Sequence, residues 1–287
     1  MSEILPKIEA LGTVWWIEIF EDSNQVIFND LVAFIKNYEE RYSRFIATSL
    51  VSKLNNEKRL ENPDQDFIEI LKYGQNLYVK TEGLFNFLLG EVLEKTGYDS
   101  KYSFKLDNSP TEETNPLNDL IITNDLITLK KGRIDLGGFG KGYLIDLLAQ
   151  KLKDEYHLKY FLINGGGDIY ATSDNERPIV IYLEHPTEVN TYIETTTLLN
   201  QGFAASSPHK RKWKIGDKTY SHIVGNKEEI ILDGTFIKAK TACEADAFAT
   251  TTLLLKPNEI IDFANKNNFE VAFITDNATN LTYSRHW

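Results

Sequence analysis

The sequence predicts an α+β fold, a mixed α/β chain in which helices pack on a mixed, largely antiparallel sheet. Three observations carry this expectation. Apolar residues recur with helical spacing in some segments, while others are rich in β-branched and aromatic residues. Several neighbouring strand segments are joined by short turn signals, which favours hairpins over a doubly wound parallel sheet. No Pro/Gly/Ser linker, composition break or internal repeat divides the chain, so residues 1–287 are expected to form a single domain.

In chain order, Gly12–Phe20 (Gly-Thr-Val-Trp-Trp-Ile-Glu-Ile-Phe) reads as a strand. From Val26 to Arg41, Ile27, Leu31, Phe34, Ile35 and Tyr38 line one face of a helix. Ser49 or Thr48 can cap a short helix carrying Leu50, Val51 and Leu54. A helical pair is expected over Phe67–Val79 and Leu84–Leu93, broken near Thr81-Glu-Gly83. Two apolar runs between Leu120 and Leu129 flank Asn124-Asp125, a hairpin signal. Residues His157–Tyr170 form a strand that ends in three glycines, bringing main chain close to a ligand or to a neighbouring strand. Strands follow at Pro178–Leu183, Tyr192–Leu199, Lys218–Val224 and Thr235–Lys238. Helices come next at Ala242–Leu255 and Asn258–Asn267, and strands at Phe269–Thr275 and Asn280–Ser284 close the chain.

Composition narrows the function. A formal charge of −11 argues against a nucleic-acid backbone or an anionic membrane as the main partner, because both would be repelled. The short basic cluster His209–Trp213 reads as a solvated loop or hairpin edge. With Cys243 the only cysteine, neither an internal disulfide nor a thiolate metal cluster can form; Cys243 is expected to be a small buried apolar residue. No apolar run is long enough to span a bilayer. The opening Met-Ser-Glu-Ile-Leu-Pro-Lys lacks the pattern of a secretory signal. The chain as written is therefore expected in the cytoplasm, or outside it if a leader has been trimmed.

Chemistry concentrates in three places. In the first, Arg133-Ile-Asp-Leu-Gly-Gly-Phe-Gly-Lys-Gly-Tyr143, a strand-like lead-in stops at closely spaced glycines before a helix marked by Leu144, Leu147, Leu148 and Leu152. Glycines admit close approach of main-chain amides, and a helix N-terminus adds roughly half a positive charge, so the arrangement suits a phosphate or pyrophosphate. Lys141 can add a full charge. The spacing matches neither a dinucleotide-binding GxGxxG nor a GxxxxGK[ST] loop, and a plain strand-to-helix connection stands beside the phosphate reading. In the second, Asp246 and Thr250 are four apart on a helix and share a face. Both are hard oxygen donors of the kind Mg²⁺ takes beside substrate phosphates, although Asp and Thr early in a helix also serve as caps. In the third, Thr219-Tyr-Ser-His-Ile-Val224, His222 is a candidate general base or a structural strand histidine. His157, His185, His209 and His286 carry no partner pattern and are expected at the surface.

Taken together, these segments resemble the ApbE family, the FAD:protein FMN transferases once described as thiamine-biosynthesis lipoproteins. The resemblance runs from Leu11 to about Thr275. It rests on Leu11-Gly-Thr13, Tyr42-Ser-Arg-Phe45 with Ser49–Asn55, Glu82-Gly-Leu-Phe85, Asp135–Tyr143, Asn164-Gly-Gly-Gly-Asp168, Ala205-Ser206, Ser221-His-Ile223 and Ala245–Thr250. It implies an ApbE-like domain that binds FAD and, with Mg²⁺, moves its FMN half onto a Thr or Ser hydroxyl of an acceptor protein, releasing AMP. The implied metal ligands are the Gly138 carbonyl, Asp246 and Thr250. The implied FAD contacts are Leu11, Phe45, Leu84, Phe85, Asn86, Asp135, Lys141 and Ile223, and His222 matches the family's proposed base. The implied partner is the acceptor protein of a flavin-dependent electron-transfer system, with the enzyme a monomer or homodimer. A Mg²⁺-dependent FAD pyrophosphatase and a non-catalytic flavin-binding protein are the alternatives on the same scaffold. The chain departs from the family pattern at Gly225–Ile231, where Asp-Pro-x-Thr-Gly is frequent, at Asn86, where aspartate is common, and at Leu11, where methionine is common.

Overall fold

The computed structural model of the protein describes residues 3–4, 6–21, 25–99, 103–174, 177–209, 212–215, 218–221, 232–276 and 278–287. The chain divides into two compact units, one made of residues 1–37, 139–210 and 229–287, the other of 38–138 and 211–228. Neither is continuous in sequence, and one cut falls inside the glycine loop, between Gly138 and Phe139.

The first unit is built on a sheet in the order Glu3–Ile4, Thr13–Ile19, Phe161–Gly165, Asp168–Thr172, Gln201–Ser206, Gly234–Ala239, Glu270–Thr275 and Asn280–Tyr283, with Ile8–Ala10 also paired to Thr13–Ile19. The ladders are antiparallel. Its middle strands Phe161–Gly165, Asp168–Thr172 and Gly234–Ala239 are buried at every position, so both faces are covered. The helices Gly140–Asp154 and Ala242–Thr252 pack on one face. Over the other lies the hairpin Ile179–Glu184/Tyr192–Leu198, whose Ile179, Ile181, Leu183 and Leu198 join Leu162, Ile169, Phe203 and Phe236 in a common core. The helix Gln25–Tyr42 buries Ile27, Leu31 and Ile35, as its period requires.

The three glycines at the end of the strand Phe161–Gly165, Gly165 to Gly167, serve a neighbouring strand. Gly165 pairs with Asp168, so Gly166 and Gly167 alone make the turn, with φ of 75° and 104°. A Cβ on Gly166 would also stand 2.2 Å from Thr13 Oγ1. The consequence is positional: Asp168 is delivered at the start of its strand.

In the second unit, Leu50–Glu57 is capped by Ser49, whose Oγ accepts from the Ser52 amide, and Gln65–Lys80 is capped by Asp64. The hairpin Leu120–Ile122/Leu126–Leu129 forms around Asn124-Asp125 as expected, and Arg59–Glu61 adds a third strand. The helix expected over Leu84–Leu93 is reduced to Gly90–Lys95. Its first turns are lost because main chain at 87–90 bonds to main chain at 133–135: Asp135 N donates to Phe87 O, Arg133 N to Leu88 O and Gly90 N to Arg133 O. The basic cluster ends in a hairpin edge, Lys212–Ile215 paired with Lys218–Ser221. Strands that sequence reading passes over are Glu3–Ile4, Ile8–Ala10, Arg59–Glu61 and Gln201–Ser206.

Candidate functional site

In the first unit the glycine loop leads into the helix Gly140–Asp154, whose N-terminus has no side-chain cap from its N-cap residue Phe139. An uncapped helix start presents amides and positive dipole to an anion. Part of that demand is met from across the sequence: the Gly142 amide donates to Asp246 Oδ2 at 3.2 Å. Lys141, in the same turn, places Nζ 3.2 Å from Asp246 Oδ2 and 2.7 Å from Asp168 Oδ2. The three side chains are 18%, 6% and 6% exposed for lysine, Asp168 and Asp246 respectively. Burial pulls the Lys141 ammonium down, but the charges of Asp168 and Asp246 and their hydrogen bonds outweigh it and hold the group above its usual value. Lys141 is therefore a fixed cation flanked by two carboxylates.

The helix Ala242–Thr252 that carries Asp246 reaches this place through small residues. A Cβ on Gly142 would lie 2.4 Å from Ala242 O, and one on Gly202 would lie 2.3 Å from Thr241 C. Buried Ala242, Ala245, Ala247 and Ala249 give it a thin profile between helix and sheet. Asp146 then locks its first turn, Oδ1 accepting from Ala242 N at 2.8 Å and Oδ2 from Cys243 N at 2.9 Å. Burial pushes the Asp146 carboxyl up to about 6, against the pull of those two amides. Thr241 Oγ1 caps the same helix by accepting from Glu244 N. Asp246 is thus not spent as the cap, and Thr250, half-buried, follows it one turn later. Cys243 is buried, as expected, with Sγ 3.6 Å from Phe139 O.

Leu11 sits in the two-residue turn between Ile8–Ala10 and Thr13–Ile19, with φ of 53° beside Gly12 at 69°. His209, its side chain 29% exposed, has partners that the sequence does not signal. Its Nε2 lies 2.8 Å from Asp233 Oδ1, and its amide donates to Ser207 Oγ. No sequence spacing signals that pair, because the two residues meet only across adjacent strand ends.

The second unit holds the other implied contacts. Asp135 Oδ1 accepts from the Gly137 amide at 2.6 Å, bending the chain into the loop that Gly138 ends. Its Oδ2 is 2.6 Å from Arg44 Nε. The Arg44 guanidinium also donates to Tyr98 O at 2.8 Å and lies 4.2 Å from the Phe45 ring centre. Phe45 stays 37% exposed, with Tyr98 edge-on at a ring-centre distance of 5.9 Å. Asn55, 2% exposed, pins the loop's lead-in, exchanging hydrogen bonds of 2.9 and 2.6 Å with Ile134 O and N. Replacing Asn55 by alanine strands both Ile134 groups in the interior and is expected to lower stability by about 2–3 kcal/mol in denaturant titrations. Leu84 is half-buried and Phe85 is 5% exposed, its amide donating to Thr81 Oγ1. The Asn86 amide group donates to Thr114 O and Oγ1 while its Oδ1 accepts from Leu88 N, so its polar atoms are engaged in holding the loop.

His222 and Ile223 lie outside the described residues. Among the described residues no group of three or more His, Cys, Asp and Glu side chains is placed to hold a metal ion. The donor set implied here, one carboxylate, one hydroxyl and one main-chain carbonyl, is of another make-up. Arg44, Asp146 and Asp168 are the charged groups that residue-by-residue reading missed. Arg44 and Asp168 stood inside motifs without a role, and Asp146 had no signal at all.

Residues 11–274 match the ApbE family. A FAD:protein FMN transferase of Haemophilus influenzae is 23% identical over 300 residues, covering 94% of this chain and 86% of its own length. One of Buchnera aphidicola subsp. Schizaphis graminum is 24% identical over 290 residues, with 94% and 85% covered. Among solved structures, the ApbE protein of Thermotoga maritima superposes with a TM-score of 0.86 at 21% identity, covering 99% of this chain and 97% of that one. The flavinyl transferase ApbE of Pseudomonas stutzeri gives 0.83 at 18% identity, with 99% and 95% covered.

Proposed function

Since the chain belongs to the ApbE family, we propose that it is a Mg²⁺-dependent FAD:protein FMN transferase, which moves FMN from FAD to a Thr or Ser hydroxyl of an acceptor protein and releases AMP. The observation that carries this reading is the half-buried Lys141 ammonium flanked by Asp168 and Asp246 in the first turn of the helix Gly140–Asp154. It joins a cation, main-chain donors and carboxylates, the groups that phosphoryl chemistry uses.

The donor set fits a hard cation. Both contacts of Asp246 described above end on Oδ2, and Thr250 follows it by one helical turn. Asp246, Thr250 and the Gly138 carbonyl would hold Mg²⁺, which when bound would supply positive charge to the pyrophosphate of FAD. The remaining work falls to the chain itself. Lys141 and the loop amides neutralise charge on the pyrophosphate oxygens. Phe45, Phe85, Leu84, Leu11 and Ile223 would be the apolar contacts of the flavin nucleotide, and Asp135 with Asn86 would order the loops around it. The acceptor hydroxyl attacks the FMN phosphorus in line, its proton passes to His222, and the P–O bond to AMP breaks.

Incubation with FAD, Mg²⁺ and a candidate acceptor tests the reading. Flavin fluorescence that survives denaturing electrophoresis is the expected result, lost with EDTA and restored by Mg²⁺. Free FMN with no labelled acceptor marks hydrolysis instead, and unchanged FAD marks binding alone. His222→Ala is expected to lower transfer by about 10²–10⁴-fold while FAD affinity, read by flavin fluorescence, is kept.

A further inference from the structure

Asp168 is given no step of its own in the transfer chemistry set out above beyond flanking Lys141, yet it is the nearer partner of that ammonium, at 2.7 Å against 3.2 Å for Asp246. Its position is over-determined. The two-residue glycine turn places it opposite Gly165, and Asn164 Oδ1 braces that turn by accepting from Gly167 N at 2.8 Å. Asp168 cannot drift with its partner.

One ammonium balances one carboxylate. Of the three side chains Lys141, Asp168 and Asp246, two are anionic and one cationic, so this ion-paired group carries one negative charge in excess where charge is costly to bury. That surplus has a use if one of the two carboxylates serves another cation. Asp246 sits on a helix with Thr250 one turn on, whereas Asp168 lies on a strand of the sheet and is ion-paired with Lys141. The two carboxylates are therefore suited to different tasks.

We propose that Asp168 is a positioning residue that keeps Lys141 in place when Asp246 turns to the metal ion, so that the ammonium stays at the pyrophosphate. The proposal rests on the flavin-transfer reading. Without the metal, Asp246 and Asp168 share Lys141, and either alone can hold it. With the metal, Asp168 holds it alone.

FAD affinity measured by flavin fluorescence, in EDTA and in saturating Mg²⁺ without acceptor, separates this from a merely structural role. For Asp168→Asn, affinity in EDTA is expected to stay within about 3-fold of wild type, and affinity in Mg²⁺ to fall by roughly 10-fold or more. Asp168→Ser, which is smaller, is expected to behave in the same way, and Asp168→Glu, which keeps the charge, to retain wild-type affinity in both conditions. Equal losses in both conditions, or no loss in either, overturn the proposal, as does failure of both neutral variants to fold. Wild-type protein that labels an acceptor while Asp168→Asn shows no Mg²⁺-specific loss removes this inference and leaves the transferase reading standing. Wild-type protein that labels no acceptor removes the reading itself.

Discussion

Asp246→Ala is expected to lower covalent flavin transfer by about 10³-fold or more, equivalent to ~4 kcal/mol of barrier. Asp246 is the one carboxylate in the implied metal set, and its helix is held in place at its first turn. Asp146 grips the first turn through Ala242 N and Cys243 N, and Gly142 and Gly202 bring the helix close to its supports. Folding should survive the change. Lys141 keeps Asp168 at 2.7 Å, so the substitution leaves a neutral pair where a net negative cluster stood. The measurement is in-gel flavin fluorescence over time, with circular dichroism as the folding control. Undiminished labelling by folded Asp246→Ala protein would reject the metal assignment.

Gly142→Ala is expected to destabilise the protein by about 2–3 kcal/mol, although the same change in a free helix gains up to about 1 kcal/mol. Contact decides the sign. The added Cβ would meet Ala242 O at 2.4 Å and Cys243 Cα at 2.7 Å, both of them main chain. The facing helix cannot retreat: Asp146 holds its amides, and on its other side Thr241 lies against Gly202. For a chain of this size the loss corresponds to a drop in Tm of about 5–10 °C, read by thermal circular dichroism. An unchanged or raised Tm would show that the two helices are free to separate there.

Elements with a strong period were legible. Ile27, Leu31, Ile35 and Tyr38, picked out by helical spacing, are buried, and the hairpin about Asn124-Asp125 forms in register. The strand Gln201–Ser206 was not legible, because Gln-Gly-Phe-Ala-Ala-Ser has little of the branched or aromatic character that marks strands. Its small residues answer to the helix lying over it: a Cβ at Gly202 would meet Thr241 main chain at 2.3 Å. The helix expected at Leu84–Leu93 failed for a related reason. Its spacing is helical, but residues 87–90 find better main-chain partners at 133–135.

What the sequence by itself determined is the set of locally encoded features: the amphipathic helices, the hairpins, the glycine loop with Lys141, the Asp246–Thr250 face and the order of motifs that marks the family. Each is written within a few residues, where backbone propensity and side-chain period act. Only the tertiary structure decided that Lys141 is shared by Asp168 and Asp246, the latter 105 residues away, and that Asp146 clamps amides 96 and 97 residues further on. Such pairings leave no periodic trace, because they depend on which helix can approach which strand, and that is settled by the volume of residues such as Gly142 and Gly202 at the contact.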